Sequence, residues 1–409
     1  MKKIYILDEN ISSQKNGIGT FIRELFFCLT LPISDLCLIL FNSDVAEFNI
    51  IEEKGVKKIL FPVLKGSFLL NMQVVDKFFR LYIKDDINNI FFVNHSPCVE
   101  LLESLKTYFP LSKVVFIIHD FNWTLPLMGD LLNYKSIRAR VETDNVERNK
   151  LESFIFNVSK KERQMYELAD RVVCLSKDSY NILRCDYGVD EDKLSLIPNG
   201  IRDIRGLHLS NRNEIKSMFH FSNEDKILLC VGRPTLQKGV FDLILAMDII
   251  LKYNRNAKLV IVGDGNESSM KELVKVASKN AASIIFVGQV DKVSLRKWYT
   301  IADIGVVPSY YEQCSYTGIE MMMFGLPIVA SDGLGVRNMF VDGINAKIAR
   351  IGNRKKPTVF RNNLAGAIIE LLDSPELCDE LGKEAKKTYK SIYSIRQMKK
   401  NYKKLVELL

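Results

Sequence analysis

Two glutamates, Glu312 and Glu320, stand with seven residues between them in the stretch VVPSYYEQCSYTGIEMMMFGLPIVA, Val306 to Ala330. The apolar run ending at Val307 reads as a buried strand closed by Pro308 and Ser309. Glu312 falls in the short polar loop that follows. From about Ser315 the spacing becomes helical, with Ile319, Met323 and Phe324 on one face, and Gly325 with Pro327 stops the helix. Ile328 to Ala330 reads as the next strand. A loop and helix N-terminus at the carboxyl end of a parallel strand is where open α/β sheets take anionic ligands. Two carboxylates at this spacing mean little alone and need a context.

That context is the loop GRPTLQKG, Gly232 to Gly239, after the apolar run Ile227–Val231 and before a helix with Phe241, Ile244, Leu245 and Ile249 inward. It supplies the guanidinium of Arg233 and the ammonium of Lys238. Arginine forks onto phosphate oxygens and lysine adds a mobile point charge. Together with the helix N-terminus near Ser315, three positive sources would converge on one diphosphate. A departing diphosphate needs its charge neutralised rather than a proton, which suits this set. The plainer alternative is a surface loop whose cations are only solvated.

Other chemistries lack their residues. Lys238 is followed by Gly239-Val240, so there is no phosphate-binding GxxxxGK[ST] loop. Gly263-Asp264-Gly265 reads as a structural turn. The acidic pairs Asp85-Asp86 and Asp190-Asp192 fall in helical or turn contexts, so no metal and no cofactor is expected. Glycoside hydrolysis would need two carboxylates about one anomeric carbon, and Glu320, inside its helix, is poorly placed to share one with Glu312. The eight cysteines form no CxxC and suggest neither a zinc site nor a disulfide framework, which fits a reducing, cytoplasmic setting.

The elements that must position these groups alternate strand with helix. Ile4–Leu7 is the first strand. A loop with Gly17 and Gly19 follows, then a helix with Phe21, Ile22, Leu25 and Leu29 on its apolar side. The glycines either let the backbone approach a ligand or serve a tight packing turn. Strands follow at Leu36–Phe41, Ile59–Val63, Ile90–Val93 and Val114–Ile118. The last of these ends in His119-Asp120, where a histidine either faces the crevice or is structural. Phe121, Trp123, Leu125 and Pro126 form an apolar lip suited to a sugar ring or lipid tail, or are ordinary packing. The charged stretch from about Asn133 to Ala169 reads as long, partly exposed helix, with its charge run as a solvated face. Arg171–Leu175 and Leu194–Ile197 complete the first sheet.

A length of 409 residues exceeds what one core usually serves. Pro198-Asn199-Gly200 begins a linker running to about Gly206, and the alternation then starts afresh, with strands at Ile227–Val231, Leu259–Val262 and Ile284–Val287. The expected fold is α/β, two similar parallel-sheet domains facing each other across a cleft, at 1–200 and 201–392. The composition, 47% hydrophobic and 26% charged, is that of a globular chain, and no apolar run is long enough to span a bilayer. The opening MKKIYILDEN reads as a strand rather than a signal peptide. The net charge of +8 lies mostly in the second half, after Arg350. It marks either a surface for anionic substrates or lipid headgroups, or solvated helix faces. No nucleic-acid partner is expected.

Taken together, GRPTLQKG, the IVGDGN turn, Ala302-Asp303, the two spaced glutamates with Gly325-Leu326-Pro327, the PNG at the linker, His119-Asp120 and the basic C-terminal helix occur in a familiar order. The chain resembles the family 4 retaining glycosyltransferases of the GT-B fold, also called glycosyl transferases group 1. The resemblance is specific from about Pro198 to Ala346 and is one of layout before that. It implies metal-independent transfer of a sugar from a nucleotide-activated donor, with retention at the anomeric carbon, in glycan biosynthesis. Carried over by position, Arg233 and Lys238 would neutralise the donor diphosphate, and amides around Ser315, Tyr316 and Thr317 would meet the phosphates. Glu312 would hold sugar hydroxyls beside the anomeric carbon, and Glu320 the ribose hydroxyls. His119 would contact the donor sugar near the acceptor, Gly17 and Gly19 would line the cleft, and the helix at about 393–409 would cross back onto the first domain. The acceptor, carbohydrate, lipid-linked or protein, is open, as is a peripheral contact with the inner face of a membrane. The chain departs from the family at Gln313 and Ser315, where glycines are usual, and at Arg337, Asn338 and Ala346. A nucleotide-sugar epimerase on the same fold would need more acid and base groups than His119 offers. A non-catalytic partner subunit would have no use for Arg233, Lys238 and Glu312 together.

Overall fold

The computed structural model describes residues 1–9, 17–30, 34–53, 55–63, 68–94, 98–142, 147–206 and 211–409. The chain divides into two compact units. The first comprises Met1–Pro126, Leu132–Asn199 and Ile395–Leu409, and the second Leu127–Leu131 and Gly200–Ser394.

Among the described residues the first unit is built on eight strands: β1 (Lys2–Glu9), β2 (Ser34–Ser43), β3 (Asn49–Glu53), β4 (Val56–Pro62), β5 (Asn89–Asn94), β6 (Lys113–Ile118), β7 (Arg171–Cys174) and β8 (Leu194–Leu196). Their spatial order is β3-β4-β2-β1-β5-β6-β7-β8. All neighbours are parallel except β3 and β4, which form an antiparallel edge hairpin. Strand β5, NIFFVN, is buried at every position, as expected of a strand covered on both faces. Winding reverses between β1 and β5. The helix Ile395–Glu407 belongs to this unit: Lys399 Nζ lies 4.9 Å over the Phe27 ring and donates to the Thr30 carbonyl at 3.4 Å.

Two expectations are corrected here. The charged stretch after Asn133 is not one helix but two, Leu131–Val141 and Lys150–Leu168, the second opened by an Asn149–Glu152 capping box. Nor is its face wholly solvated, because Glu162 is buried and accepts from the Asn122 amide nitrogen at 2.7 Å, from Asn122 Nδ2 at 3.0 Å and from the Tyr187 hydroxyl. Half of the apolar lip is packing, while Leu125 and Pro126 stay exposed. Phe121 and Trp123 are buried, and Trp123 stacks on Tyr134 with centroids 4.1 Å apart.

Among the described residues the second unit has six parallel strands, β9 (Lys226–Val231), β10 (Ala257–Val262), β11 (Ile284–Gly288), β12 (Ile304–Val307), β13 (Ile328–Ser331) and β14 (Lys347–Ala349). Their order is β11-β10-β9-β12-β13-β14, so winding reverses between β9 and β12. Apolar strands such as KILLCV pack against the helices Val240–Tyr253 and Pro357–Asp373 in one core. Arg354 draws in the short outlying segment, donating to the Met128 carbonyl at 3.1 Å and the Gly129 carbonyl at 3.3 Å.

Burial pushes the Glu162 carboxyl up to about 7 despite the hydrogen bonds that favour its charged form. A carboxyl whose folded pKa exceeds its unfolded one costs stability as pH rises from about 4.5 towards 7, and the full cost, a few kcal/mol at most, remains above that. Glu162→Gln is therefore expected to raise Tm relative to wild type at pH 8 and to change it little at pH 4.5, as read by thermal melts at the two pH values.

Candidate functional site

The carboxyl ends of β9 and β12 flank the reversal point of the second sheet, where open α/β sheets leave a crevice for ligands. The two segments singled out by their residue types leave these two strand ends. After β9 the chain turns through Gly232 and Arg233, makes one turn of 3₁₀ helix at Leu236–Lys238, and enters the helix Val240–Tyr253 through Gly239. After β12 it runs through Pro308 to Glu312 and enters the helix Tyr316–Phe324 at Ser315, whose hydroxyl caps the Gly318 amide at 3.4 Å.

The loops are pressed together. Gly239 has φ +66° and lies so near β12 that a Cβ would fall 2.0 Å from the Pro308 carbonyl oxygen. On the far side, a Cβ on Gly335 (φ +76°) would fall 1.7 Å from the Glu312 carbonyl oxygen. Backbone bonds complete the clamp: the Tyr310 amide donates to Gln237 O at 2.9 Å and the Glu312 amide to Leu334 O at 3.0 Å. Below them, buried Asp242 accepts from the Tyr310 hydroxyl at 2.9 Å and from Arg361 Nε at 2.8 Å.

This clamp brings Lys238 and Glu312 together. Lys238 Nζ lies 2.6 Å from Glu312 Oε1, which also accepts from the Ser309 hydroxyl at 3.0 Å. The pair is partly shielded, with side-chain exposures of 28% and 14%. Lys238 is thus not a free cation, as the loop alone suggested. One of its three N–H donors is spent on Glu312, so it can serve an anion and hold the carboxylate at once. Arg233 is exposed, and its guanidinium makes no hydrogen bond or ion pair with any described residue.

Glu320, on the helix Tyr316–Phe324, accepts from the hydroxyl of buried Tyr299 at 2.6 Å. Burial pushes its carboxyl up to about 7, the Tyr299 bond pulling the other way. Ser315 is buried and Tyr316 and Thr317 half-buried at the first turn of that helix, with the Ser315 and Thr317 hydroxyls 3.1 Å apart. In the first unit, His119 follows β6 and its Nε2 lies 2.5 Å from Asn94 Oδ1. Gly17 and Gly19 lie within the first turn of the helix Gly17–Leu29 rather than in a loop before it. The residues ahead of Gly17, from Asn10, lie outside the described ones.

Sequence reading missed Ser309, Tyr299 and the Asp242–Tyr310–Arg361 group, none of which has a motif of its own. Tyr310 and Ser309 stand two and three positions before Glu312 and could have been suspected by position. Among the described residues no cluster of three or more His, Cys, Asp or Glu side chains could hold a metal ion, and no helix is long and apolar enough to cross a membrane.

Comparison with known proteins bears on this geometry. Residues 211–388 match the family described as Glycosyl transferases group 1, and residues 142–205 that described as Glycosyltransferase Family 4. An uncharacterized glycosyltransferase of Methanocaldococcus jannaschii is 32% identical over 179 residues, 43% of this chain and 45% of that protein. The chain spans about half the length of the curated relatives it matches. Among solved structures, sucrose-phosphate synthase from Thermosynechococcus elongatus superimposes with a TM-score of 0.75 at 19% identity, over 100% of this chain and 99% of that one. Anabaena HepE in complex with UDP and glucose does so with 0.73 at 14% identity over 100% of both. At such identities the likeness is one of architecture.

The Gly239 approach leaves no room for a methyl group and sets a backbone that L side chains avoid. Gly239→Ala is expected to lower stability by about 2 kcal/mol or more and to part Lys238 from Glu312. Denaturant unfolding of the variant checks the first effect, and a crystal structure of the variant the second.

Proposed function

Because residues 211–388 form a glycosyl transferases group 1 region within a chain of GT-B fold, we propose that this protein transfers a sugar from a nucleoside-diphosphate donor to an acceptor, with retention of anomeric configuration. The observation that carries the proposal is the Lys238–Glu312 pair, held at the sheet's reversal point by the loop that also carries exposed Arg233 and the loop that leads to a capped helix start.

The roles follow from charge. As the bond from the anomeric carbon to the diphosphate breaks, negative charge grows on the leaving oxygen. Arg233 and Lys238 are assigned to that charge, with the first amides of the helix Tyr316–Phe324, which carry the positive end of its dipole. These groups do the neutralising in this reading, without a metal. Glu312, an acceptor of hydrogen bonds, is assigned to sugar hydroxyls beside the anomeric carbon. Lys238 keeps its counter-charge at 2.6 Å while facing the phosphates. Glu320 is assigned to the ribose hydroxyls, and the Tyr299 hydroxyl orients it. His119 is assigned to a hydroxyl of the transferred sugar, and Gly17 and Gly19 to close approach of the ligand. The acceptor class, carbohydrate, lipid-linked or protein, stays open.

HepE, of the same architecture, is described with UDP and glucose, which makes UDP-glucose the first donor to try. UDP release from UDP-glucose and a panel of other nucleotide sugars is expected for wild type, unchanged by EDTA. Glu312→Ala and Arg233→Ala are each expected to lower it by about a hundredfold. The anomeric coupling in the product's proton NMR spectrum should match that of the donor. Equal turnover by all three proteins would remove the site, and an inverted product would remove the stereochemical assignment.

A further inference from the structure

The ring of His119 is held from two sides. Phe21, wholly buried on the helix Gly17–Leu29, meets the imidazole edge to face, with centroids 4.6 Å apart and planes at 79°. On another edge, Nε2 lies 2.5 Å from Oδ1 of Asn94, the last residue of β5. Asn94 in turn donates from Nδ2 to Asp8 Oδ1 at 2.8 Å. Asp8, near the end of β1, is 2% exposed and Asn94 1%. Strands β1, β5 and β6 are consecutive neighbours, so the three residues line up across three adjacent carboxyl ends, beside the point where this sheet reverses its winding.

The chain of contacts has a direction. A side-chain amide has a nitrogen that only donates and an oxygen that only accepts. Asp8 takes the nitrogen of Asn94, which turns the oxygen towards His119. That oxygen can be satisfied only by an imidazole whose Nε2 carries hydrogen. In the neutral ring Nδ1 is then the acceptor nitrogen. A polar pair of this kind at the end of the apolar run IFFV is costly unless both of its bonds are made.

We infer that Asp8 and Asn94 are positioning residues that fix His119 in its Nε2–H form, which makes Nδ1 the accepting nitrogen of the neutral ring. The inference rests on the sugar-contacting role proposed above for His119. Neither Asp8 nor Asn94 touches the sugar. They act through the ring, setting which of its nitrogens can receive a hydrogen bond.

Nitrogen-15 NMR of the histidine side chains reads the tautomer directly in the full chain, without any sugar present. The chain has four histidines, and His119→Gln identifies the signal. At a pH where the ring is neutral, wild type is expected to show only the Nε2–H form. Asn94→Leu is expected to show both tautomers and to lose about tenfold or more in turnover of UDP-glucose. The double exchange Asp8→Asn with Asn94→Asp swaps carboxylate and amide. The amide nitrogen at position 8 then donates to the carboxylate at position 94, which still accepts from Nε2–H. That variant should regain the single tautomer and most of the turnover. An unaltered tautomer in Asn94→Leu, mixed tautomers in the exchanged variant, or a restored tautomer without restored turnover would overturn the inference. Should Asn94→Leu fail to fold, the exchanged variant decides alone. A wild type that shows the Nε2–H form but turns over no nucleotide sugar would overturn the transferase reading and the sugar contact, leaving the positioning of the ring established.

Discussion

A parallel sheet wound first one way and then the other must part its connections once, and the loops at that parting cannot cover each other. The second unit meets this constraint between β9 and β12. Its chemistry-bearing residues come from the two loops that diverge there, although β10 and β11 intervene in sequence. Lys238 and Glu312 are 74 positions apart, yet their side chains are joined because their strands are neighbours. The sheet order creates the meeting, and the side chains only have to be the right kind.

Proximity alone would not hold a partly shielded ion pair, since the desolvation of two charges roughly offsets their attraction. The structure adds a rigid backing. Gly239 and Gly335 let three loops touch backbone to backbone, and the Asp242–Tyr310–Arg361 group fixes the loop from below. The carboxylate and ammonium are thus placed before any ligand arrives, which keeps the cost of ordering them out of binding. Glu320 is treated differently. It is held by one tyrosine in a buried setting, where its charge is disfavoured rather than balanced.

Much of the architecture was legible because strands covered on both faces need continuous apolar runs, and ILLCV, LVIV and VVFII sit between turn residues at regular intervals. The strands that escaped were those without that need. NIIEE lies at an edge with a half-exposed face, and KIA is three residues long. The charged run around Glu162 read as solvated because its burial depends on Asn122 and Tyr187, supplied by other elements. At the site, residue type was enough to single out Arg233, Lys238 and Glu312. It could not show that two of them are paired, nor that Tyr299 reaches Glu320. Asn94 and Asp8 were invisible for the same reason: a lone asparagine ending an apolar strand has no signature until its neighbours in space are known.

The last helix, Ile395–Glu407, is counted among the elements of the first unit, packed on the helix Gly17–Leu29 and near β5 through Tyr402 and Phe92. A ribosome delivers the chain from the amino end, so the surface awaiting that helix stays bare while nearly two hundred residues of the other unit are made. The amino-terminal half therefore cannot finish folding as it emerges. Completion waits for residues Ile395–Leu409, and a chain that stops before them would leave an exposed apolar seam that invites chaperones and proteases.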